Sequence, residues 1–168
     1  MKINIYILLI VTLGLILSSC SPRMTEPPTN QQSEEVRAAQ DSLVAFLDDL
    51  HEGRYEDAAR LYGGTYDIMI DHNPNLDPND RAGLLRNACT INGAECLELK
   101  SVVLEKEASA NEFDFKVEFM DEDGSLFVLG PCCGGNETDT PQQSVFTIKV
   151  IKKDDGDFVV MEMPPYVP

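Results

Sequence analysis

Positive charge is what this sequence has least of: 13 Lys and Arg stand against 29 Asp and Glu in 168 residues, a formal net charge of −16. Nucleic-acid affinity is built mainly from cations that neutralise phosphates, so DNA and RNA binding are excluded as function classes. Histidine is scarce too, and His51 and His72 are the two side chains that titrate near neutrality without perturbation. Ser-His-Asp spacing, a glycine-rich phosphate loop, a His-Glu-x-x-His pair and a Walker pattern are all missing. With 43% hydrophobic and 25% charged residues the composition is globular, which sets aside disorder, collagen-like repeats and a multi-span membrane protein. The length suits one ordinary domain.

The one long apolar run, Ile3 to Leu17, follows Lys2 and is closed by Ser18, Ser19 and Cys20. A helix needs about 20 residues to cross a hydrocarbon core of ~30 Å, so this shorter run reads as a secretory signal peptide rather than a permanent span. The segment Leu17-Ser18-Ser19-Cys20 resembles the lipobox of bacterial lipoproteins, in which an aliphatic and two small residues precede a cysteine that is diacylated and becomes the new N-terminus. The resemblance implies a signal peptide over 1–19, lipidation of Cys20 and a membrane as partner through that lipid. A single acyl chain binds only marginally, so stable attachment needs two or three. Ser21 after Cys20, by the sorting rule of enteric bacteria, points to the outer membrane where the host has one. Residues 20–32, rich in Pro, Ser, Thr, Asn and Gln, read as the lipidated cysteine and a tether.

The remainder, 33–168, reads as one α+β domain. Ser33 suits an N-cap, Glu34 and Glu35 the positive first turn, and Val36, Ala39, Leu43, Phe46, Leu47 and Leu50 fall at helical spacing up to Gly53. A second short helix carries Tyr55, Ala58, Ala59 and Tyr62 and stops at Gly63-Gly64. Tyr66 to Ile70 is expected as a short strand, and a third helix is expected from near Pro78, through Leu84 and Leu85, to about Cys89. Beyond Cys96 the period changes to two. Phe113, Phe115, Val117 and Phe119 alternate with Glu112, Asp114, Lys116 and Glu118, a strand with one wet face. Strands are also expected over Leu97–Glu105, Ser125–Leu129, Ser144–Ile151 and Phe158–Met163, with Asp123-Gly124 and Asp155-Gly156 as hairpin turns. The expected product is an antiparallel sheet packed on N-terminal helices.

The run from Val44 to Tyr62, VAFLDDLHEGRYEDAARLY, joins an amphipathic helix, a glycine corner and a Tyr-Glu-x-Ala-Ala helix. It resembles the opening of small bacterial lipoproteins of the nuclear transport factor two-like superfamily, a cone-shaped α+β fold shared with ketosteroid isomerase and polyketide-cyclase-like proteins. The resemblance implies a pocket between a curved sheet and the helices, used by different members for catalysis, ligand binding or dimerisation. It does not supply a function.

Besides Cys20 the chain holds Cys89, Cys96, Cys132 and Cys133, an even number in an exported protein, where disulfides are the default. Cys89 and Cys96 flank the turn pair Asn92-Gly93 and suit a small disulfide-closed loop. In a simple meander Cys132 lies roughly 20 Å from Cys96 at ~3.3 Å per residue, well over the ~7 Å Cα limit for a bridge. That leaves Cys132 and Cys133 as a vicinal disulfide, as free thiols or as members of crossed pairs. Four thiolates on zinc lack the usual knuckle spacing, and the acidic Glu137 and Asp139 argue against an activated thiolate. Asp71, Asn73, Asn75 and Asp77 alternate as in the first half of a calcium loop, but Leu76 and Ala82 stand where the turn glycine and bidentate glutamate belong. No metal and no cofactor is expected. Tyr62, Tyr66 and Asp67 are close enough in sequence to meet in a pocket, although core or rim positions suit the two tyrosines better. Asn136-Glu137-Thr138 is a glycosylation acceptor only in a eukaryotic secretory host.

These features lead to a lipid-anchored envelope domain that binds a small molecule or a protein without catalysis, with an unidentified ligand or protein as partner. A small lyase or isomerase using the cone pocket is the second reading. A structural subunit of an envelope complex, homodimerised through the sheet, is the third.

Overall fold

In the computed structural model, residues 33–130 and 142–167 are described, and they lie within one compact unit. The expected signal peptide over 1–19 and the expected lipidated Cys20 and tether over 20–32 fall outside these residues, as do Cys132, Cys133 and Asn136-Glu137-Thr138.

Helix α1 spans Glu34–His51 and is capped as its sequence dictates, Ser33 Oγ accepting the Val36 N–H at 3.2 Å. Its apolar stripe is fully used: Val36, Ala39, Leu43, Phe46, Leu47 and Leu50 are all buried. Gly53, at φ +75°, turns the chain into α2, Tyr55–Leu61. The buried carboxylate of Asp49 fixes this corner, accepting from Arg54 Nε at 2.6 Å while its main-chain oxygen accepts the Arg54 N–H at 2.8 Å.

The expected strand over 66–70 is instead a short helix, α3, Asp67–His72. Thr65 Oγ1 accepts the Asp67 N–H at 3.2 Å, the acid sits in the first turn, and the helical turn places Met69 in the core with Ile68 outside. Local capping and burial of Met69 override the β-branched residues. Helix α4 begins at Arg81 rather than near Pro78, because Asp77 Oδ1 takes the Asn79 N–H at 2.8 Å and Asp80 is the N-cap, accepting from Gly83 at 2.9 Å. It runs to Thr90, burying Leu84, Leu85 and Ala88.

Four antiparallel strands follow in simple order: β1 Glu98–Ser109, β2 Glu112–Met120, β3 Phe146–Lys152 and β4 Phe158–Val160. The fold is therefore α+β, helices on a meandering sheet. Phe113, Phe115 and Val117 of β2 face Val150, Ile148 and Phe146 of β3, and these side chains meet the α1 stripe in one core. The opposite sheet face is polar. Ser101 donates to Glu118 at 2.7 Å, Glu105 pairs with Lys116 at 3.1 Å and accepts from Thr147 at 3.0 Å, and Lys149 lies 3.8 Å from Asp114. Gly124 and Gly156 turn with φ of +82° and +94°.

Residues 125–129, expected as a strand, form only the isolated bridges Met120↔Leu126 and Leu129↔Gln143. Phe127 drops into the core beside Phe146 and Val128 is left exposed, so this stretch is held by an aromatic anchor and scattered backbone hydrogen bonds, among them Phe127 N–H to the Phe119 carbonyl at 3.0 Å, instead of a continuous ladder. β3 starts at Phe146 rather than Ser144, and β4 ends at Val160 rather than Met163. The β4 boundary has a chemical cause: the Lys149 N–H, which would continue the β3–β4 ladder, is taken by the Glu162 carboxylate at 2.6 Å. The free side of β4 is covered by Tyr62 and Gly63, which bridge in parallel to Val160.

Candidate functional site

Where Glu162 ends the ladder, the chain leaves the sheet and crosses toward the loop after α4. The Pro165 carbonyl accepts the Glu95 N–H at 2.8 Å, the Gly93 carbonyl accepts the Val167 N–H at 2.8 Å, and Ala94 and Tyr166 face one another as an antiparallel bridge. The partner loop is the one closed by a disulfide between Cys89 and Cys96, whose Cα atoms lie 5.5 Å apart. Gly93, at φ +86°, makes the approach, and a Cβ there would strike the Val167 carbonyl. His51, the last residue of α1, holds the far side of the loop through Nδ1 and the Cys96 carbonyl, 3.1 Å apart.

The tail, the disulfide loop and α3 enclose a cavity of about 480 Å³. That volume falls within the range of small-molecule sites. Ile68, Met69 and His72 project from α3, Ala88 comes from α4, and Asn92 and Ala94 from the loop. The tail contributes Glu162, Met163, Pro164 and Tyr166, and Tyr62 and Thr65 complete the wall. Most of this surface is apolar.

An amide network sets one wall. Asn87 donates to the Asn73 side-chain oxygen at 2.8 Å, and Asn73 donates to the Met69 carbonyl at 2.7 Å and to Asn92 at 3.0 Å. Asn73 therefore ties α3 to α4 and to the disulfide loop, and Asp77 serves a turn, in place of the calcium-loop pattern both residues suggested. Among the described residues no group of three or more His, Cys, Asp or Glu side chains converges on a common point.

Aromatic packing sets another wall. The Tyr62 ring stacks on Phe46 with centroids 5.6 Å apart and meets Tyr66 edge-on at 5.0 Å. Tyr62 donates its hydroxyl proton to the Thr65 carbonyl at 3.1 Å. Burial, with Tyr66 and Glu162 nearby, pushes its hydroxyl up to about 12. The Tyr66 hydroxyl is buried with no hydrogen-bond partner among the described residues, and its ring carries the Arg81 guanidinium 4.2 Å from the centroid. Burial raises its pKa and Arg81 opposes the rise.

Of the trio Tyr62, Tyr66 and Asp67, only Tyr62 lines the cavity; Tyr66 backs it, and Asp67 is an exposed first-turn residue of α3. The acid that does line it is Glu162. Burial raises its pKa, the Lys149 N–H and ammonium oppose the rise, and Asp114 adds to it. Sequence reasoning passed over this residue, yet a signal was there. Phe158, Val160 and Glu162 share one face at period two, so an acid occupies a position its neighbours give to the core. The cavity also lies to one side of the helix–sheet interface, not inside it as the cone resemblance implied. That interface is filled by Phe46, Leu43, Phe113, Phe115 and Phe119, each with essentially no exposure.

Neither a family model nor a curated protein matches this chain. Among solved structures it is similar to a candidate dehydratase from the NTF2-like family of Streptomyces avermitilis, at 16% identity and a TM-score of 0.41, over 77% of this chain and 93% of that one.

Proposed function

We propose that this chain is a lipid-anchored envelope protein whose folded domain binds a small molecule with an apolar body, without catalysis, in the cavity under α3 and the C-terminal tail. The observation that carries the binding reading is the cavity itself: about 480 Å³, lined mainly by aliphatic and aromatic carbon, with a few polar groups at set positions. The anchoring reading is supported by the apolar run and Leu17-Ser18-Ser19-Cys20.

A second reading, acid–base chemistry by Glu162 beside Tyr62, draws on one observation, a carboxyl with a raised pKa on an apolar cavity wall. Two others weigh against it. One Glu162 oxygen is engaged by a main-chain N–H, and the Tyr62 hydroxyl, committed to Thr65 and shifted to about 12, is a weak proton donor at neutral pH. His72 packs against the Tyr166 ring at 6.5 Å, and among the described residues no carboxylate pairs with it to orient the imidazole.

The test is binding of a neutral apolar probe, 1-octanol, followed by ligand-observed NMR on the wild-type domain and on Ile68→Trp. Ile68 lines the cavity and is 67% exposed, so the larger side chain has room outside and obstructs entry without disturbing the core. Binding to the wild type and its loss in the variant are expected. Equal binding to both proteins overturns the reading, as does failure of the wild type to bind 1-octanol or a charged probe of the same chain length.

A further inference from the structure

We propose that the cavity selects amphiphiles bearing a cationic amine, with Glu162 as the counter-ion; this deepens the small-molecule reading above and rests on it. Three observations carry the choice of charge. The first is isolation. Glu162 is the one carboxylate of the cavity wall, which it shares with His72 and with the aliphatic side chains of Met69, Ala88, Met163 and Pro164.

The second is valence. Glu162 Oε2 accepts the Lys149 N–H at 2.6 Å, and no ion pair forms between this carboxylate and any described Lys, Arg or His. The ammonium of Lys149 lies instead 3.8 Å from Asp114, on the polar face of the sheet. A carboxylate has about four acceptor sites, so a half-buried one with a single donor retains capacity for another. Burial raises its pKa because the charged form is desolvated, and the Lys149 N–H and the more distant Lys149 ammonium offset that rise only in part. A bound ammonium would supply that cation and a charge-assisted hydrogen bond.

The third is exclusion. Anionic ligands would place like charge against Glu162 inside a chain already at −16, and a purely apolar ligand would leave the carboxylate desolvated and unpaired. His72, also on the wall, stands on α3 in ring contact with Tyr166 of the tail. The apolar portion of the ligand would then lie along α3 and the tail, toward Ile68 and Tyr166, which remain 67% and 47% exposed.

The experiment compares three probes of one chain length, octylamine, 1-octanol and octanoate, at neutral pH on wild type, Glu162→Gln and Ile68→Trp, by NMR titration. Expected for the wild type is octylamine tighter than 1-octanol by about tenfold, the scale of one hydrogen bond to a charged group, with octanoate weakest. Glu162→Gln should bring octylamine and 1-octanol within about twofold of each other, and Ile68→Trp should lose all three.

Equal binding of amine and alcohol by the wild type overturns the ligand class and leaves the cavity reading standing. This ranking decides the matter even if Glu162→Gln does not fold. An amine preference that persists in Glu162→Gln overturns the role of Glu162. Amine binding that survives Ile68→Trp is attraction to the acidic surface and overturns the proposal as well. Failure of 1-octanol and both other probes to bind brings down the small-molecule reading itself, and this inference with it.

Discussion

The Glu162 carboxylate accepts the main-chain N–H of Lys149 at 2.6 Å, taking the position of the strand carbonyl that would have continued the sheet. One side chain thereby ends β4, frees the following residues to cross to the disulfide loop, and places a carboxylate on the wall of the cavity they close. Sheet topology and site chemistry meet in this residue.

A pH dependence follows from the same bond. Burial raises the folded-state pKa of Glu162 above its ordinary 4.5. The protonated form is thus favoured in the native state, so its contribution to stability is fully present below the unfolded value and is lost as pH rises through the folded one. Glu162→Gln removes that titration and keeps an acceptor for Lys149. The melting temperature of Glu162→Gln minus that of the wild type should therefore rise between pH 4 and pH 7. Glu162 is only partly buried, so solvent screening keeps the change small. A difference flat across that range would show that the carboxyl is not desolvated by folding.

The bond between Cys89 and Cys96 closes a loop with a sequence separation of 7. Loop-closure entropy for so short a ring amounts to about 2–3 kcal/mol. The double variant Cys89→Ala/Cys96→Ala should lose about that much stability in urea unfolding. Hydrogen exchange at Glu95 and Val167, whose N–H groups join loop and tail, should accelerate more than exchange in β2. A uniform change across the domain would indicate that the disulfide does not act through the loop.

Asp49 and Glu52 both engage Arg54, and burial decides which matters. Asp49 has 11% side-chain exposure and also belongs to the α1–α2 corner, whereas Glu52 has 57%. Asp49→Ala leaves a buried corner without its charged acceptor and should cost about 1.5–3 kcal/mol, reduced somewhat because Arg54 is itself 43% exposed. Glu52→Ala should cost at most about 1 kcal/mol. Equal losses in urea titrations would remove burial as the distinguishing cause.

What was legible in the sequence follows the range of the forces involved. The α1 stripe and the Phe113–Phe119 alternation were readable because each face is buried along its whole length, so periodicity reports burial directly. The small disulfide loop was readable from two cysteines around a turn pair. α3 was misread because Ile68 and Ile70 favour strands locally, while the burial of Met69 depends on elements distant in sequence. Of the cavity, only Tyr62 was picked out in advance as a pocket residue. Its wall requires residues 162–166 to lie beside 92–95, a pairing set by where β4 stops, which depends on a side chain competing with a backbone carbonyl.

Lipid anchoring can be checked apart from the fold. Cys20→Ala removes the thiol that the lipobox reading requires, and the variant should move from the membrane fraction to the soluble fraction of cells expressing it. The domain's own circular dichroism and unfolding midpoint should be unchanged, because Cys20 lies outside the unit Gln32–Pro168. Retention of Cys20→Ala in the membrane fraction would contradict lipidation at this residue.

Two glycines with nearly the same backbone angle separate the cost of conformation from the cost of closing the cavity. Gly93 and Gly124 have φ of +86° and +82°, so alanine at either carries the left-handed penalty of about 1 kcal/mol. At Gly124 a Cβ meets nothing within 4 Å, and the loss should stop there. At Gly93 it strikes the Val167 carbonyl in the bond that holds tail to loop. Gly93→Ala should therefore lose about 1–3 kcal/mol beyond that penalty and also weaken binding of 1-octanol, because Glu162, Met163, Pro164 and Tyr166 form their wall only while the tail is held. Gly124→Ala should bind the probe as the wild type does. If both variants lose stability equally and neither changes binding, the tail does not shape the cavity.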